Sequence, residues 1–65
     1  MIIDYVADML KDGKWHYVRT IARKLDQSET TVRGVVDFCV SFDMAAVDST
    51  GNRVKLDPAL AKLLK

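Results

Sequence analysis

Cys39 and His16 are the two side chains in this sequence whose type could support nucleophilic or metal chemistry. Each is the only residue of its kind, so the chain lacks the set of four Cys and His ligands that a structural zinc site needs. Cys39 continues a helical run of apolar residues, where a thiol behaves as a small hydrophobe. The sequence also has no paired acid and base, glycine-rich phosphate loop or nucleophile elbow. We therefore expect no enzyme activity, no catalytic residue, no metal and no cofactor.

Basic residues are the second group that could do chemistry, because clustered cations neutralise phosphates. The chain has ten basic and nine acidic residues and a net charge of +1, so a cationic surface requires an uneven distribution. The charge is uneven along the chain: residues 13–36 and residues 51–65 each carry +3, whereas residues 1–12 carry −2 and residues 37–50 carry −3. The two basic segments are therefore the candidates for contact with a polyanion.

Three helices are predicted to position the first basic segment. Apolar residues at helical spacing indicate helices over residues 2–10, 18–25 and 28–42. Gly13 follows the first helix and can end it in a left-handed conformation, and Ser28 is a suitable N-cap for the third. The apolar stripes of the second and third helices are Val18, Ile21, Ala22, Leu25 and Val32, Val35, Val36, Cys39.

The rest of the chain predicts short strands and a final helix. Residues 15–17 have strand propensity but need a partner strand, and residues 45–56 form a β-hairpin around a polar, glycine-containing loop. Asp57 and Pro58 start a short helix whose apolar side is formed by Leu60, Leu63 and Leu64, and that side either caps the core or forms an interface. Trp15 is expected to be a core anchor between the short strand and the hairpin. Phe38, Val40 and Phe42 widen the apolar arc of the third helix, so another part of the molecule is expected to cover them.

Length and composition indicate one small globular domain over residues 1–65. Of these residues 49% are hydrophobic and 29% are charged, and mean hydropathy is near zero. No run is long enough for a membrane span, the start carries acidic residues unlike a signal peptide, and a lone cysteine cannot form an intrachain disulfide. We therefore expect a soluble cytoplasmic protein.

The order of the elements resembles the winged helix-turn-helix family over residues 2–56. The resemblance rests on Ile21-Ala22 and Leu25 in the second helix, on Ser28-x-x-Thr31-Val32 and Val35-Val36-x-x-Cys39 in the third, and on a hairpin where that family has its wing. It implies a small α+β fold: a three-helix winged helix-turn-helix with a two-stranded wing and, here, a short C-terminal helix. The sequence departs from the family at Asp26 and Asp43, where relatives commonly have Gly, but Asp tolerates left-handed backbone.

The resemblance also implies double-stranded DNA as the partner, in a transcription regulator or in the DNA-binding domain of a larger assembly. The helix over residues 28–42 would enter the major groove and the hairpin over residues 45–56 would lie on the backbone or minor groove. Base edges would be read by Arg33, Thr30 and Gly34. Phosphates or the minor groove would be contacted by Thr31, Arg53, Lys55, Asn52, Arg19, Arg23 and Lys24.

Two points stay open at the level of sequence. A domain of this size reads few base pairs, so specificity would need a homodimer or a larger protein partner. The alternative function is a winged-helix module for protein–protein interaction. It is favoured by the modest net charge, by Asp37 and Asp48, and by the surplus apolar residues Phe38, Val40 and Phe42.

Overall fold

The computed structural model describes residues 1–64, which form four α-helices and a three-stranded antiparallel sheet. The elements in chain order are α1 (Ile2–Leu10), β1 (His16–Tyr17), α2 (Val18–Leu25), α3 (Glu29–Ser41), β2 (Ala45–Val47), β3 (Arg53–Leu56) and α4 (Pro58–Leu64). The small α+β class and the predicted elements are confirmed. Lys65, which contributes to the +3 of the C-terminal segment, lies outside the described residues. None of the helices within residues 1–64 is long and apolar enough to cross a membrane.

The helix ends follow the capping residues in the sequence. Ser28 Oγ accepts a hydrogen bond from the Thr31 backbone N–H (3.1 Å), and Asp57 Oδ2 accepts one from the Ala59 N–H (3.1 Å). α2 has no side-chain cap. The N–H of its first residue, Val18, instead donates to the Asn52 carbonyl at 2.9 Å, so the hairpin loop substitutes for the missing cap.

Two aspartates occupy the turns where the sequence departs from the family pattern. Asp26, after α2, has φ 55°, and Asp43, after α3, has φ 58°. Both lie in the left-handed region, which Asp tolerates better than most residues other than Gly and Asn. Asp26 and Asp43 therefore provide the left-handed backbone of the turns that follow α2 and α3.

The sheet has the strand order β1-β3-β2. His16 lies opposite Val54 and Tyr17 opposite Arg53, while Ala45 lies opposite Leu56 on the other side of β3. Because side chains alternate along a strand, β3 has two distinct faces. Val54 and Leu56 face the helices and are buried, whereas Arg53 and Lys55 alternate with them on the opposite face.

The core fills the space between the helices and the inner face of the sheet. The buried residues are all apolar: Val6, Leu10, Val18, Ile21, Ala22, Val32, Val36, Cys39, Ala45, Val54, Leu56 and Ala61. Cys39 is among them as predicted, and burial raises the pKa of its thiol. Leu60 of α4 packs against this core, so the last helix caps it with Leu60 and Ala61, while Leu63 stays exposed.

Two predictions about the core are wrong. Trp15 is 40% exposed, because it alternates with His16 along the chain and so shares the outer face with Tyr17. Phe38 and Phe42 are 50% and 64% exposed, and only Val40 of the predicted trio packs against the core. At about 100° per residue, Phe38 lies about 200° around α3 from the buried Val36, so no element inside residues 1–64 covers it.

Candidate nucleic-acid interface

The end of β1 with α2, the start of α3 and the hairpin turn surround an open hollow of about 330 Å³. Its walls come from three parts of the chain: the β1–α2 junction, α3 and the turn between β2 and β3. The lining residues are Tyr17, Arg19, Thr20, Arg23, Glu29 and Asn52. The hollow exists because the Asn52 carbonyl receives the first N–H of α2, which brings the hairpin turn next to this helix.

Arg19 and Arg23 supply the positive charge of the hollow. They lie four residues apart on α2, so they share one side of that helix, and both are exposed. Neither guanidinium lies within 4.0 Å of a carboxylate belonging to residues 1–64, so both keep their full capacity to donate hydrogen bonds. Lys24, predicted to act with them, lines a different hollow beside α1, together with Tyr5 and Gln27.

Arg33 joins α3 to the hairpin turn. Its Nη1 donates to the Gly51 carbonyl at 2.9 Å, and its Nη2 donates to Asn52 Oδ1 at 3.2 Å. The same Nη2 lies 3.6 Å from the Glu29 carboxylate one helical turn earlier. The guanidinium is therefore directed at the hairpin turn, and base reading by Arg33 stays a prediction.

The open side of α3 carries small and polar residues. Thr30 and Gly34 are both exposed, and a Cβ added to Gly34 would have no neighbour within 4 Å. No part of the chain thus requires glycine at this mid-helix position. The hydroxyl of Thr31 lies 2.8 Å from Ser28 Oγ, so it belongs to the helix cap. Asp37 is exposed further along the helix.

The hairpin turn is organised around the Asp48 carboxylate. Asp48 Oδ2 accepts from Arg53 Nε at 2.7 Å, and Oδ1 accepts from the Thr50 hydroxyl at 2.7 Å and from the Arg53 backbone N–H at 3.3 Å. These bonds hold the pKa of Asp48 far below its usual value, and the bond from the Arg53 side chain has the largest effect. The same side-chain bond raises the pKa of Arg53. The negative charge of Asp48 is thus neutralised by Arg53 within the hairpin.

The outer face of the sheet combines aromatic rings with cations. We call Trp15, Tyr17, Arg53 and Lys55 the outer sheet face. Lys55 Nζ lies 4.9 Å from the centre of the Trp15 ring, and the Arg53 guanidinium carbon lies 5.7 Å from the Trp15 ring and 5.9 Å from the Tyr17 ring. Tyr17 also lines the hollow described above, so the two surfaces are continuous.

Of the ten predicted site residues, three line this hollow: Arg19, Arg23 and Asn52. The other seven do not line it: Lys24, Thr30, Thr31, Arg33, Gly34, Arg53 and Lys55. Sequence reasoning missed Tyr17, Thr20 and Glu29 as lining residues. Tyr17 could have been predicted as a lining residue, because it lies two residues before Arg19. A residue at the junction of a strand and a helix is next to the first helical turn. The position of Glu29 could not be judged without knowing that the hairpin turn lies opposite.

The Asp12–His16 pair lies in the loop between α1 and β1. His16 Nε2 is 3.0 Å from each Asp12 carboxylate oxygen, and Asp12 Oδ1 also accepts from the Lys14 backbone N–H at 2.9 Å. The hydrogen bond from the Lys14 N–H has the largest effect in lowering the pKa of the Asp12 carboxyl, and the hydrogen bond with the His16 ring has the next largest. The pair fixes the loop ahead of β1. Residues 1–64 contain no cluster of three or more His, Cys, Asp or Glu side chains able to hold a metal.

Comparisons with protein-family models, with curated proteins and with solved structures found no match for this chain. Its function is therefore inferred from the geometry of its surfaces. The most informative of these is the hollow, where two unpaired arginines, the start of α3 and the hairpin turn meet.

Proposed function

We propose that the chain is a non-enzymatic winged helix-turn-helix domain that binds double-stranded DNA, as a transcription regulator or as part of a larger DNA-binding assembly. α3 enters the major groove, and the hairpin of residues 45–56 lies on the backbone or in the minor groove. The observation that carries the proposal is the convergence of Arg19, Arg23 and the hairpin turn on the start of α3.

Each part of this surface has a separate task in the proposed complex. Arg19 and Arg23 neutralise phosphates beside the groove, since they have no acidic partner in the described part of the chain. Thr30 and Gly34 are small and uncharged, so the base edges can come close to α3 at these positions. Arg33 fixes the hairpin turn relative to α3, so the two elements approach the duplex as one unit.

Two carboxylates oppose phosphate binding, and the structure limits the effect of one of them. Glu29 lies in the first turn of α3, where the positive end of the helix dipole and the Arg33 guanidinium offset its charge. Asp37 has no such partner among residues 1–64. In the proposed complex it lies clear of the phosphates or accepts a hydrogen bond from a cytosine amine.

The test is the salt dependence of binding to a random-sequence duplex. The logarithm of affinity falls against the logarithm of salt concentration with a slope of about −0.9 per phosphate neutralised. The double variant Arg19→Gln/Arg23→Gln is expected to reduce the slope by about 1.8. The matched control is Lys11→Gln/Lys62→Gln, which removes the same charge from a hollow between α1 and α4. Equal slopes for the two double variants would contradict the proposed surface, and absent binding would contradict the function.

Gly34→Ala tests whether α3 itself approaches the duplex. The added methyl group has no neighbour within 4 Å among residues 1–64, so the variant is expected to be more stable by about 0.4–1 kcal/mol. Close approach of bases to α3 predicts weaker duplex binding in the same variant. Thermal unfolding and a duplex titration measure the two effects. A variant that gains stability and keeps its full affinity would place α3 away from the DNA.

A second candidate function is protein–protein interaction through the C-terminal half of α3. Phe38 and Phe42 are exposed with ring centroids 4.8 Å apart, which favours a partner that buries them. Concentration-dependent association in sedimentation that is suppressed by Phe42→Ser would support this function. Leu63→Ser is the control, because Leu63 is exposed on α4. If the wild-type chain stays monomeric at all concentrations, Phe42 does not mediate self-association.

A further inference from the structure

We propose that the outer sheet face binds single-stranded nucleic acid by stacking unpaired bases on Trp15 and Tyr17. This site goes beyond the proposed duplex binding, because it uses aromatic ring faces on the sheet and no residue of α3. The juxtaposition that carries it is two exposed aromatic rings next to two cations on an uncovered side of a β-sheet.

The register of the sheet creates this juxtaposition. Tyr17 lies directly opposite Arg53, and Trp15, two residues earlier, lies near Lys55 on the same side. Trp15 lies just before β1, and the Arg53 guanidinium carbon lies 5.7 Å from its ring centre and 5.9 Å from that of Tyr17, so the two aromatic side chains are neighbours along one edge of the sheet. Tyr17 is 57% exposed and Trp15 is 40% exposed. Part of each ring is therefore accessible to a planar ligand.

The charges on the outer sheet face fit a phosphate backbone. Lys55 Nζ has no carboxylate within 4.0 Å among residues 1–64, and its nearest described attraction is the Trp15 ring. Arg53 uses Nε for Asp48, which leaves its terminal N–H groups for other acceptors. A base that stacks on Trp15 would take the place of the lysine over the ring, and the released ammonium would then meet the adjoining phosphate.

A single strand satisfies both features of this surface, and other polyanions satisfy only one. Every base has a π-face, so stacking on an aromatic side chain tolerates any sequence. In a duplex those faces are covered by neighbouring base pairs, so a duplex offers this site only its phosphates. An acidic peptide offers charge without the flat rings that Trp15 and Tyr17 would bind. The observations therefore favour unpaired nucleotides.

Trp15 is itself the reporter for the test, because it is the only tryptophan in the chain. We expect its fluorescence to be quenched when the whole chain is titrated with an oligothymidylate of about 12 nucleotides at low salt, since one such site spans about 4–16 nucleotides. Tyr17→Ala is expected to weaken this binding about tenfold. The control is Tyr5→Ala, which removes an equally exposed tyrosine (63%) from α1 and should leave the affinity unchanged.

Lys55→Gln provides a second variant in case Tyr17→Ala does not fold. It is expected to weaken oligothymidylate binding and to reduce its salt dependence by about one phosphate contact, with Lys62→Gln as the unaffected control. An oligonucleotide of the same length without bases tests stacking directly. We expect it to bind far more weakly than oligothymidylate and to leave the fluorescence unquenched.

Three results would overturn the site. These are the absence of quenching by oligothymidylate at low salt, equal binding of the base-free strand or of polyglutamate, and equal losses in the Tyr17→Ala and Tyr5→Ala variants. The site and the proposed duplex function fail separately. Arg19→Gln/Arg23→Gln changes the hollow and leaves Trp15, Tyr17, Arg53 and Lys55 in place, so quenching by the single strand would stand even if the salt slope for the duplex were unchanged by that double variant.

Discussion

The two faces of β3 differ in what covers them and in what they can contribute. Val54 and Leu56 are buried under the helices, whereas Arg53 and Lys55 alternate with them on the opposite side and are only partly buried. One four-residue strand therefore supports the core with one set of side chains and leaves the other set for a partner. Stability and recognition are assigned to opposite sides of the same backbone, so substitutions should affect them independently.

Leu56→Ala on the inner face is expected to have the largest effect on stability. Truncation of a fully buried leucine costs about 2–5 kcal/mol, because apolar contacts are lost and a cavity remains. In a domain of this size the Tm should fall by about 10 °C or more. Lys55→Ala, one position earlier on the outer face, should change the free energy of unfolding by no more than about 0.5 kcal/mol. Similar losses in the two variants would remove the distinction between the faces.

Arg33→Met is expected to have an intermediate effect, because it removes the tie between α3 and the hairpin turn. The Gly51 carbonyl and the Asn52 side chain would lose a charged donor, at a cost of about 1–2 kcal/mol. Arg23→Met is the control, since that arginine has no partner in the described part of the chain and should change stability by no more than about 0.5 kcal/mol. Chemical denaturation measures both. Equal stability of the two variants would show that the hairpin is held by its apolar contacts alone.

The carboxylate of Asp48 should make a smaller, pH-dependent contribution. Its pKa is lower in the folded chain than in the unfolded chain, where it is about 3.9, so its bonds to Arg53 and Thr50 stabilise the fold above about pH 4. That contribution decreases as the pH falls further and the carboxylate binds a proton. The difference in Tm between the wild type and Asp48→Asn is therefore expected to shrink between pH 5 and pH 2.

Asp37→Asn separates this effect from the general response to acid. The Asp37 carboxylate has no hydrogen-bond or ion-pair partner within residues 1–64, although its backbone carbonyl accepts from Ser41. The difference in Tm between the wild type and Asp37→Asn should thus change much less over the same range. A constant difference for Asp48→Asn would mean that the Asp48 cluster does not persist in solution.

Sequence periodicity was enough to predict the inner side of the molecule. The stripes of α2 and α3 and the Ser28 cap depend on residues close together in the chain, and they are confirmed. The left-handed backbone at Asp26 and Asp43, which followed from the family resemblance, is also present. The contact between Arg33 and Gly51 joins residues 18 positions apart, so no local pattern could show it.

The outer side was harder to predict for a different reason. A two-residue strand such as β1 has no alternation long enough to show which of its neighbours faces the core, and only pairing with β3 determines that Trp15 lies outside. The exposure of Phe38 and Phe42 likewise depends on which helices pack against α3. The residues that line the candidate hollow also lie at the surface and come from separate parts of the chain. The sequence therefore predicted only some of them.

The double variant Tyr17→Ala/Lys55→Gln gives the sharpest test of the two faces, because it truncates two outer side chains at once and is still expected to change stability little. Both side chains lie on the outer sheet face, and the attractions they lose to neighbouring cations or rings are partly offset by hydration. The free energy of unfolding should therefore change by about 0.5–1 kcal/mol at most, well below the loss for Leu56→Ala. Denaturation with urea measures this change while the secondary structure is followed by circular dichroism. A loss above about 2 kcal/mol would show that the outer face also holds the sheet together, and the exposure of its aromatic rings would then need no ligand to explain it.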